Sequence, residues 1–254
     1  MQLIVGDVAV RYEEEGTGPV ALLLHGWGAN LHTWDVLTND LTNDGWRVLR
    51  LDLPGFGKSE MPKSAWSVSD YAAFVHAFLD KLGIAQLRLL VGHSFGGRIA
   101  LKGVATRVFS PEKLILIGSA GVPEERTAKR RAFGILAKLG KAVSAVPPFS
   151  FFRDRLRRTL YEAAGSTDYL NAGPLRDTFL KVIGEDLTHS AKAITIPTLL
   201  IWGEDDAETP LHRGRVLHEC IHGSTLEVIS DAGHFVHQEK PAEVARAVAV
   251  FLSS

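Results

Sequence analysis

The sequence predicts an α/β fold: a mostly parallel sheet flanked by helices, with a helical segment inserted into it. Three observations carry this expectation. Short runs such as Val20–Leu24, Leu114–Ile117 and Thr198–Ile201 are apolar throughout, as strands covered on both faces are. Stretches of helical periodicity lie between such runs, so strands and helices alternate along the chain. One gap between strands, residues 118–197, holds 80 residues where a strand–helix–strand crossover needs only about a dozen.

Taken in order, Val8-Ala9-Val10 alternates with its neighbours and is expected to begin an antiparallel edge. Val20–Leu24 and Arg47–Leu51 follow as buried strands. Tyr71, Phe74, Val75, Phe78, Leu79 and Leu82 form one apolar helical stripe, with Ser67-x-x-Asp70 as a capping box before it and Gly83 stopping it. Leu87–Val91 is the next strand, and Arg98-Ile99-Ala100-Leu101 the start of the next helix. After Leu114–Ile117 comes the long gap, with Pro147-Pro148 and helical stretches around Lys129–Val143 and Arg153–Glu162. Residues 121–190 are therefore expected to form a helical cap inserted into a core made of 1–120 and 191–254. Thr198–Ile201 and Leu226–Ile229 complete the strands, all expected to be covered on both faces. A last helix should start at Pro241 and turn Val244, Val248 and Phe251 inward.

Composition narrows the function. A chain of 254 residues, 46% hydrophobic, can bury a core without disulfides or metals, and one domain with an insertion fits its length. With 28 Lys+Arg against 29 Asp+Glu it lacks the basic excess that nucleic-acid binding demands. Cys220 stands alone, so there is no internal disulfide and no sign of an oxidising compartment. The opening residues lack the basic region of a signal peptide, and no apolar run approaches a membrane span, so the expected location is cytoplasmic.

The chemistry gathers at the ends of the predicted strands. Gly92-His93-Ser94-Phe95-Gly96 matches G-x-S-x-G between a strand and a helix, the setting of a nucleophile elbow. The flanking glycines permit a tight turn that exposes the serine hydroxyl, and the helix start aims backbone N–H groups at charge developing beside it. A serine needs a base, and the base an orienting carboxylate. His234 follows the last predicted strand, and Glu204-Asp205-Asp206 follows the strand before it. Serine, then acid, then histidine is the chain order of an elbow serine hydrolase.

At this point the sequence resembles the α/β-hydrolase family. His25-Gly26-Trp27-Gly28 is similar to the family's oxyanion loop, and Asp52-Leu53-Pro54-Gly55-Phe56-Gly57-Lys58-Ser59 to its D-x-x-G-x-G-x-S loop. Gly203-x-x-Asp206-x-x-x-Pro210 resembles the acid segment, and Gly233-His234-Phe235 with Glu239-Lys240-Pro241 the histidine segment. The resemblance implies Ser94 as nucleophile, His234 as general base and acid, and Asp206 as the residue that fixes the imidazole tautomer. It implies the backbone N–H groups of Trp27 and Phe95 as oxyanion donors. Asp205 is the rival acid, and Asp206 fits the segment's spacing better. Some relatives carry the acid one strand earlier, where this chain reads Gly118-Ser119.

Other residues have plainer readings. His25 and Asp52 should fix loops, His93 should fill space at the pocket, and Cys220 should be a buried small hydrophobe. His218-x-x-x-His222 has a spacing that could hold a metal, but a solvated helix face is the simpler reading, and no metal is expected. Between Val122 and Glu162, ten basic and four acidic residues give a segment of +6 against −7 for the rest of the chain. Phe133, Leu136, Leu139, Val143, Phe152, Leu156 and Leu160 are interleaved with those charges. A charged outer face over an apolar inner one explains this most simply, and a gate for anionic substrates is the sharper alternative. The expected activity is hydrolysis of small or medium, largely apolar carboxylic esters through an acyl-enzyme, with a small-molecule ester as partner and no cofactor. The alternatives are a carbon–carbon bond hydrolase of ring-cleavage products, an acyltransferase or perhydrolase with the same three residues, and a non-catalytic ligand receptor on the same fold. Against the carbon–carbon reading stand His93, Phe95 and Phe235, where such hydrolases often resemble G-N-S-M-G-G with Trp after the histidine.

Overall fold

A computed structural model of the chain describes residues 1–123 and 172–254. Eight strands form one sheet in the order β1-β2-β4-β3-β5-β6-β7-β8. β1 (Gln2–Val5) and β2 (Val8–Glu15) make an antiparallel hairpin about Gly6, and β2 also runs antiparallel to β4 (Arg47–Leu51). The remaining neighbours, β3 (Val20–Leu24), β5 (Leu89–His93), β6 (Lys113–Ile117), β7 (Thr198–Gly203) and β8 (Thr225–Ile229), are parallel.

Side chains leave a strand alternately to its two faces, and here both faces are covered. On one, Leu22, Leu24, Leu90, Leu114 and Leu116 meet Tyr71, Val75 and Phe78 of α2 (Val68–Lys81) and Ile99 of α3 (Phe95–Ala105). On the other, Ala21, Leu23, Val91, Ile115 and Ile201 meet Leu37 and Leu41 of α1 (Asp35–Asn43), together with Val244 and Val248 of the C-terminal helix. Residues one apart in sequence thus enter opposite cores. Each such buried Leu or Ile contributes about 1.5–3 kcal/mol.

Several expectations need correcting. β5 ends at His93, two residues later than expected, because Gly92 and His93 still pair with Leu116 and Ile117. β2 continues through Glu13, Glu14 and Glu15, where Arg47 and Arg50 of β4 receive the acids. β8 is not covered on both faces: it is an edge strand with Thr225, Glu227 and Val228 exposed. Cys220 is half-buried against the core rather than fully enclosed.

The expected helices Lys129–Val143 and Arg153–Glu162, and the apolar residues Phe133 to Leu160 named with them, lie outside the described residues. From the far end of the gap, α4 (Arg176–Gly184) and α5 (Thr188–Lys192) are described. A core–cap boundary at 190 falls inside α5, where Leu187 and Ala191 pack into the main core. After β7 come α6 (Leu211–Cys220), and after β8 the short α7 (Val236–Glu239) and the long α8 (Pro241–Ser253), which has Pro241 in its first turn. Among the described residues, no helix is long and apolar enough to cross a membrane.

In the order β4-β3-β5-β6 the connection after β3 leads to β4 on one side and the connection after β5 leads to β6 on the other. The crevice beyond the carboxyl ends of β3 and β5 is therefore a topological switch point, where open α/β sheets bind ligands.

Candidate active site

Ser94 sits between β5 and α3 with φ 49° and ψ −107°. A side-chain-bearing residue there costs on the order of 1–3 kcal/mol, so its neighbours must hold it in place. They do so with backbone bonds: its N–H donates to Ile117 O at 3.1 Å, and its C=O accepts from Ala120 N–H at 3.1 Å. The flanking glycines are required sterically. A Cβ on Gly96 would stand 2.0 Å from the carbonyl oxygen of Leu24, and one on Gly92 would stand 2.7 Å from that of Gly96.

The loop after β3 runs directly against the serine. A Cβ on Gly26 would lie 3.3 Å from the Cβ of Ser94, so the backbone at Gly26 passes close to the serine. His25 fixes the loop. Its Nδ1–H donates to Gly26 O at 2.7 Å and its Nε2 accepts from Leu53 N–H at 2.9 Å, which uses both ring nitrogens of the neutral form. Burial pushes His25 down to about 4. Asp52, fully buried, accepts from Leu31 N–H and Lys58 N–H, each at 2.8 Å. Both residues thus act as loop anchors.

His234 and Asp206 meet at the ends of β8 and β7. The Nδ1–H of His234 donates to Asp206 Oδ2 at 2.9 Å, and both side chains are buried. Asp206 Oδ1 accepts from the N–H groups of Glu208 and Thr209 at 2.9 and 2.8 Å, which fixes the carboxylate plane. The hydroxyl of Thr209 lies 2.7 Å from Oδ2 and 3.0 Å from Gly118 O. Asp205 is exposed, and its backbone N–H serves the loop by donating to Ala232 O at 2.9 Å. Glu239 clamps the histidine loop by accepting from Gly233 N–H at 2.7 Å and Phe235 N–H at 3.1 Å.

Nε2 of His234 faces Glu208 Oε2 at 3.4 Å, and among the described residues no hydrogen bond joins it to Ser94 Oγ. Such contacts are commonly long without substrate and tighten when it binds.

His93 does not line the pocket. It lies 1% exposed behind the histidine loop, and its Nε2–H donates to His234 O at 3.0 Å. Its ring is 4.6 Å from that of His237 and 4.7 Å from that of His234. Burial, then the neighbouring His237 and His234, hold His93 neutral far below the usual imidazole range. Burial and His234 bring His237 down to about 3. Trp27, Phe56, Phe95 and Phe179 form an aromatic cluster, with the half-buried Trp27 ring 4.8–5.3 Å from the other three.

The two histidines of the possible metal pair are not brought together on one helix. α6 ends at Cys220, His222 lies beyond it, and His218 Nδ1 is 2.9 Å from Ser224 Oγ. Among the described residues, no group of three or more His, Cys, Asp or Glu is arranged to hold a metal ion.

Sequence reasoning missed Thr209, Glu208 and His237. The first two lie inside the acid segment and were read as spacers. Asp206 accepts from the N–H groups two and three residues further on, as Asx turns do, and that spacing is a signal that could have found Thr209.

The chain is 32% identical to a 2-hydroxy-6-oxononadienedioate/2-hydroxy-6-oxononatrienedioate hydrolase of Burkholderia vietnamiensis, over 97% of this chain and 91% of that one. It is 29% identical to a 2-hydroxy-6-oxo-6-phenylhexa-2,4-dienoate hydrolase of Comamonas testosteroni, over 98% of this chain and 92% of that one. Among solved structures, an esterase from Exiguobacterium antarcticum superimposes with a TM-score of 0.75 at 25% identity, covering 100% of this chain and 99% of the other. The model of the alpha/beta hydrolase family matches residues 21–247, which include the elbow, both loops and the histidine. With that match and this sheet order, the chain belongs to the alpha/beta hydrolase family.

Proposed function

We propose that this hydrolase uses Ser94 as nucleophile, His234 as base and Asp206 as the orienting acid, and that its substrates are 6-oxo-dienoates of the ring-cleavage type. The observation that carries the chemistry is the buried bond between His234 Nδ1 and Asp206 Oδ2 at 2.9 Å, in a chain whose Ser94 holds the strained turn of a nucleophile elbow. Asp206 selects the tautomer that leaves Nε2 able to accept the Ser94 proton. The Ser94 oxygen then bonds to the substrate carbonyl carbon. The N–H groups of Trp27 and Phe95 receive the oxyanion; loss of one such donor typically costs about 3 kcal/mol. When the intermediate collapses, the bond to the leaving group breaks and His234 returns the proton to it. Water then repeats the sequence to free the acid.

The substrate class rests on the curated relatives, whose names describe hydrolases of 6-oxo-dienoates. Hydrolysing a ketone to an acid breaks the adjacent carbon–carbon bond; once the 2-hydroxy enol has become the 2-oxo tautomer, its proton now on C5, the departing electron pair is held as the dienolate conjugated to that 2-oxo group until it is protonated. The order expected from sequence, esters before carbon–carbon bonds, is thereby reversed. Esters remain the second reading, favoured by the likeness to the Exiguobacterium esterase. The two share all three residues and differ in the leaving group.

A panel of kcat/KM values for 6-oxo-dienoates and for p-nitrophenyl acetate to hexanoate tests the choice. The expected result is higher kcat/KM for a dienoate. Turnover of the esters with no measurable dienoate cleavage overturns the first reading in favour of the second.

A further inference from the structure

One buried hydroxyl beside the acid has a choice of acceptors. Thr209 sits in the loop after β7, where its N–H donates to Asp206 Oδ1 at 2.8 Å and its C=O accepts from Trp202 Nε1–H at 2.6 Å. Those two main-chain bonds fix the residue. Trp202 is itself fully buried against α6, where a Cβ on Gly214 would stand 2.7 Å from its ring. The side chain of Thr209 is thereby held inward. Its Oγ1 lies 2.7 Å from Asp206 Oδ2, 3.0 Å from Gly118 O after β6 and 3.3 Å from His234 Nδ1. Gly118, Asp206, Thr209 and His234 are all buried. A hydroxyl has one proton to give. Of its two acceptors the carboxylate is charged and nearer, so it takes that proton. Oδ2 then accepts from two donors, Thr209 Oγ1–H and His234 Nδ1–H.

We propose that Thr209 is a positioning residue for His234: by donating to Asp206 Oδ2 it shares the oxygen that holds Nδ1–H, and so limits the acid's grip on the imidazolium formed during reaction. A second donor spreads the negative charge of the carboxylate, which in a buried site would otherwise act on the imidazole alone. The inference rests on the serine chemistry proposed above but not on the identity of the leaving group. Too strong a grip protonates the base before Ser94 can use it, and keeps the proton when it should pass to the leaving group. The main-chain donors to the carboxylate, Glu208 N–H and Thr209 N–H, fall on Oδ1 and set its plane rather than its hold on the histidine. The role therefore belongs to the side chain at 209. Valine, of nearly the same shape, would keep the main-chain bonds and lose the shared proton.

The test follows the pH dependence of Ser94 labelling by a neutral alkyl fluorophosphonate in the whole protein. The Ser94 oxygen bonds to phosphorus, fluoride leaves and the proton passes to His234, so the rate reports the base without reference to a substrate class. Thr209→Val and Thr209→Ala remove the hydroxyl, the second without a branched side chain to fit, and Thr209→Ser keeps it. Thr198→Val is the control for stability alone. It removes another buried hydroxyl, which donates to Ile196 O at 2.9 Å at the opposite end of β7. The titratable groups facing His234 are Asp206 and Glu208 from the loop after β7, His93 from β5, and His237 and Glu239 from α7. All of them stay in place. Without the hydroxyl, Oδ2 holds the imidazolium more tightly, so the acid limb of the labelling rate should move to higher pH by about 0.5. It should not move in Thr209→Ser or Thr198→Val. An unmoved limb in Thr209→Val and Thr209→Ala overturns the proposal, as does an equal movement in Thr198→Val. Movement to lower pH overturns it too, because the proton would then go to Gly118 O and the bare hydroxyl oxygen would face Oδ2. None of these outcomes touches Ser94 as nucleophile. Failure of the native chain to label at Ser94 overturns the two together.

Discussion

At the scale of single residues, the site separates groups that do chemistry from groups that hold them. Asp206 and Asp205 are adjacent in sequence and opposite in circumstance: one is buried on His234 Nδ1, the other is exposed. Asp206→Asn keeps the shape but offers an amide that supports the wrong tautomer, so kcat should fall by about a thousandfold or more. Asp205→Asn should change it less than about threefold, since only its backbone N–H is engaged. Equal losses in steady-state kinetics would show that the acid has been misassigned. Ser94, His234 and Asp206 can be singled out from the sequence as candidates because each sits in a motif at the end of an apolar run. Glu208 cannot. Its position opposite Nε2 depends on how the loop after β7 folds over the histidine, and no periodicity encodes that. The place of His93 was misjudged for a related reason: adjacency to the nucleophile in sequence does not say on which side of the elbow a ring will lie.

At the scale of elements, caps and strand ends decide how well sequence and structure agree. Ser67 and Asp70 form the reciprocal capping box that their spacing predicts, with Ser67 N–H donating to Asp70 Oδ2 at 2.7 Å. Gly83, at φ +68°, follows the helix end as expected. Ser67→Ala should therefore destabilise the fold by about 1 kcal/mol in urea unfolding, with kcat unchanged, because the cap lies outside the crevice. No change in stability would mean that solvent serves those donors equally well. Where strands were misjudged, hydrogen-bond partners rather than apolarity set the limits. The strand expected to begin at Val8-Ala9-Val10 runs on through Glu13 to Glu15, whose acids lie opposite Arg47 and Arg50. Leu226–Ile229 reads as a buried strand, yet among the described residues β8 is the last strand on its side of the sheet, and Glu227 and Val228 are exposed while Ile229 stays buried.

At the scale of the whole molecule, three buried histidines tie stability to pH. Burial lowers His25 to about 4, His237 to about 3, and His93 well below the ordinary value. All three are neutral in the fold but take up protons near pH 6.5 once unfolded. Their contribution is complete above about 6.5 and declines as pH falls toward the folded values, by about 1.4 kcal/mol per unit and per histidine. Urea midpoints should drop steadily from pH 7 to 5, and His237→Phe should lessen the slope. A flat profile over that range, with the histidines intact, would contradict this coupling.

The sheet order places β3 and β5 on either side of the switch point; the loop after β5 carries the elbow serine, and the loops after β7 and β8 carry the buried Asp–His pair. That Ser94 is the nucleophile is the claim on which the other functional statements depend. Peptide-mapping mass spectrometry after reaction with a neutral alkyl fluorophosphonate tests it most directly. One label should appear, on the peptide containing Ser94. It should be absent in Ser94→Ala, whose hydrolytic turnover should fall by several orders of magnitude while its thermal unfolding is retained. A label on another serine, or full turnover by Ser94→Ala, would contradict it.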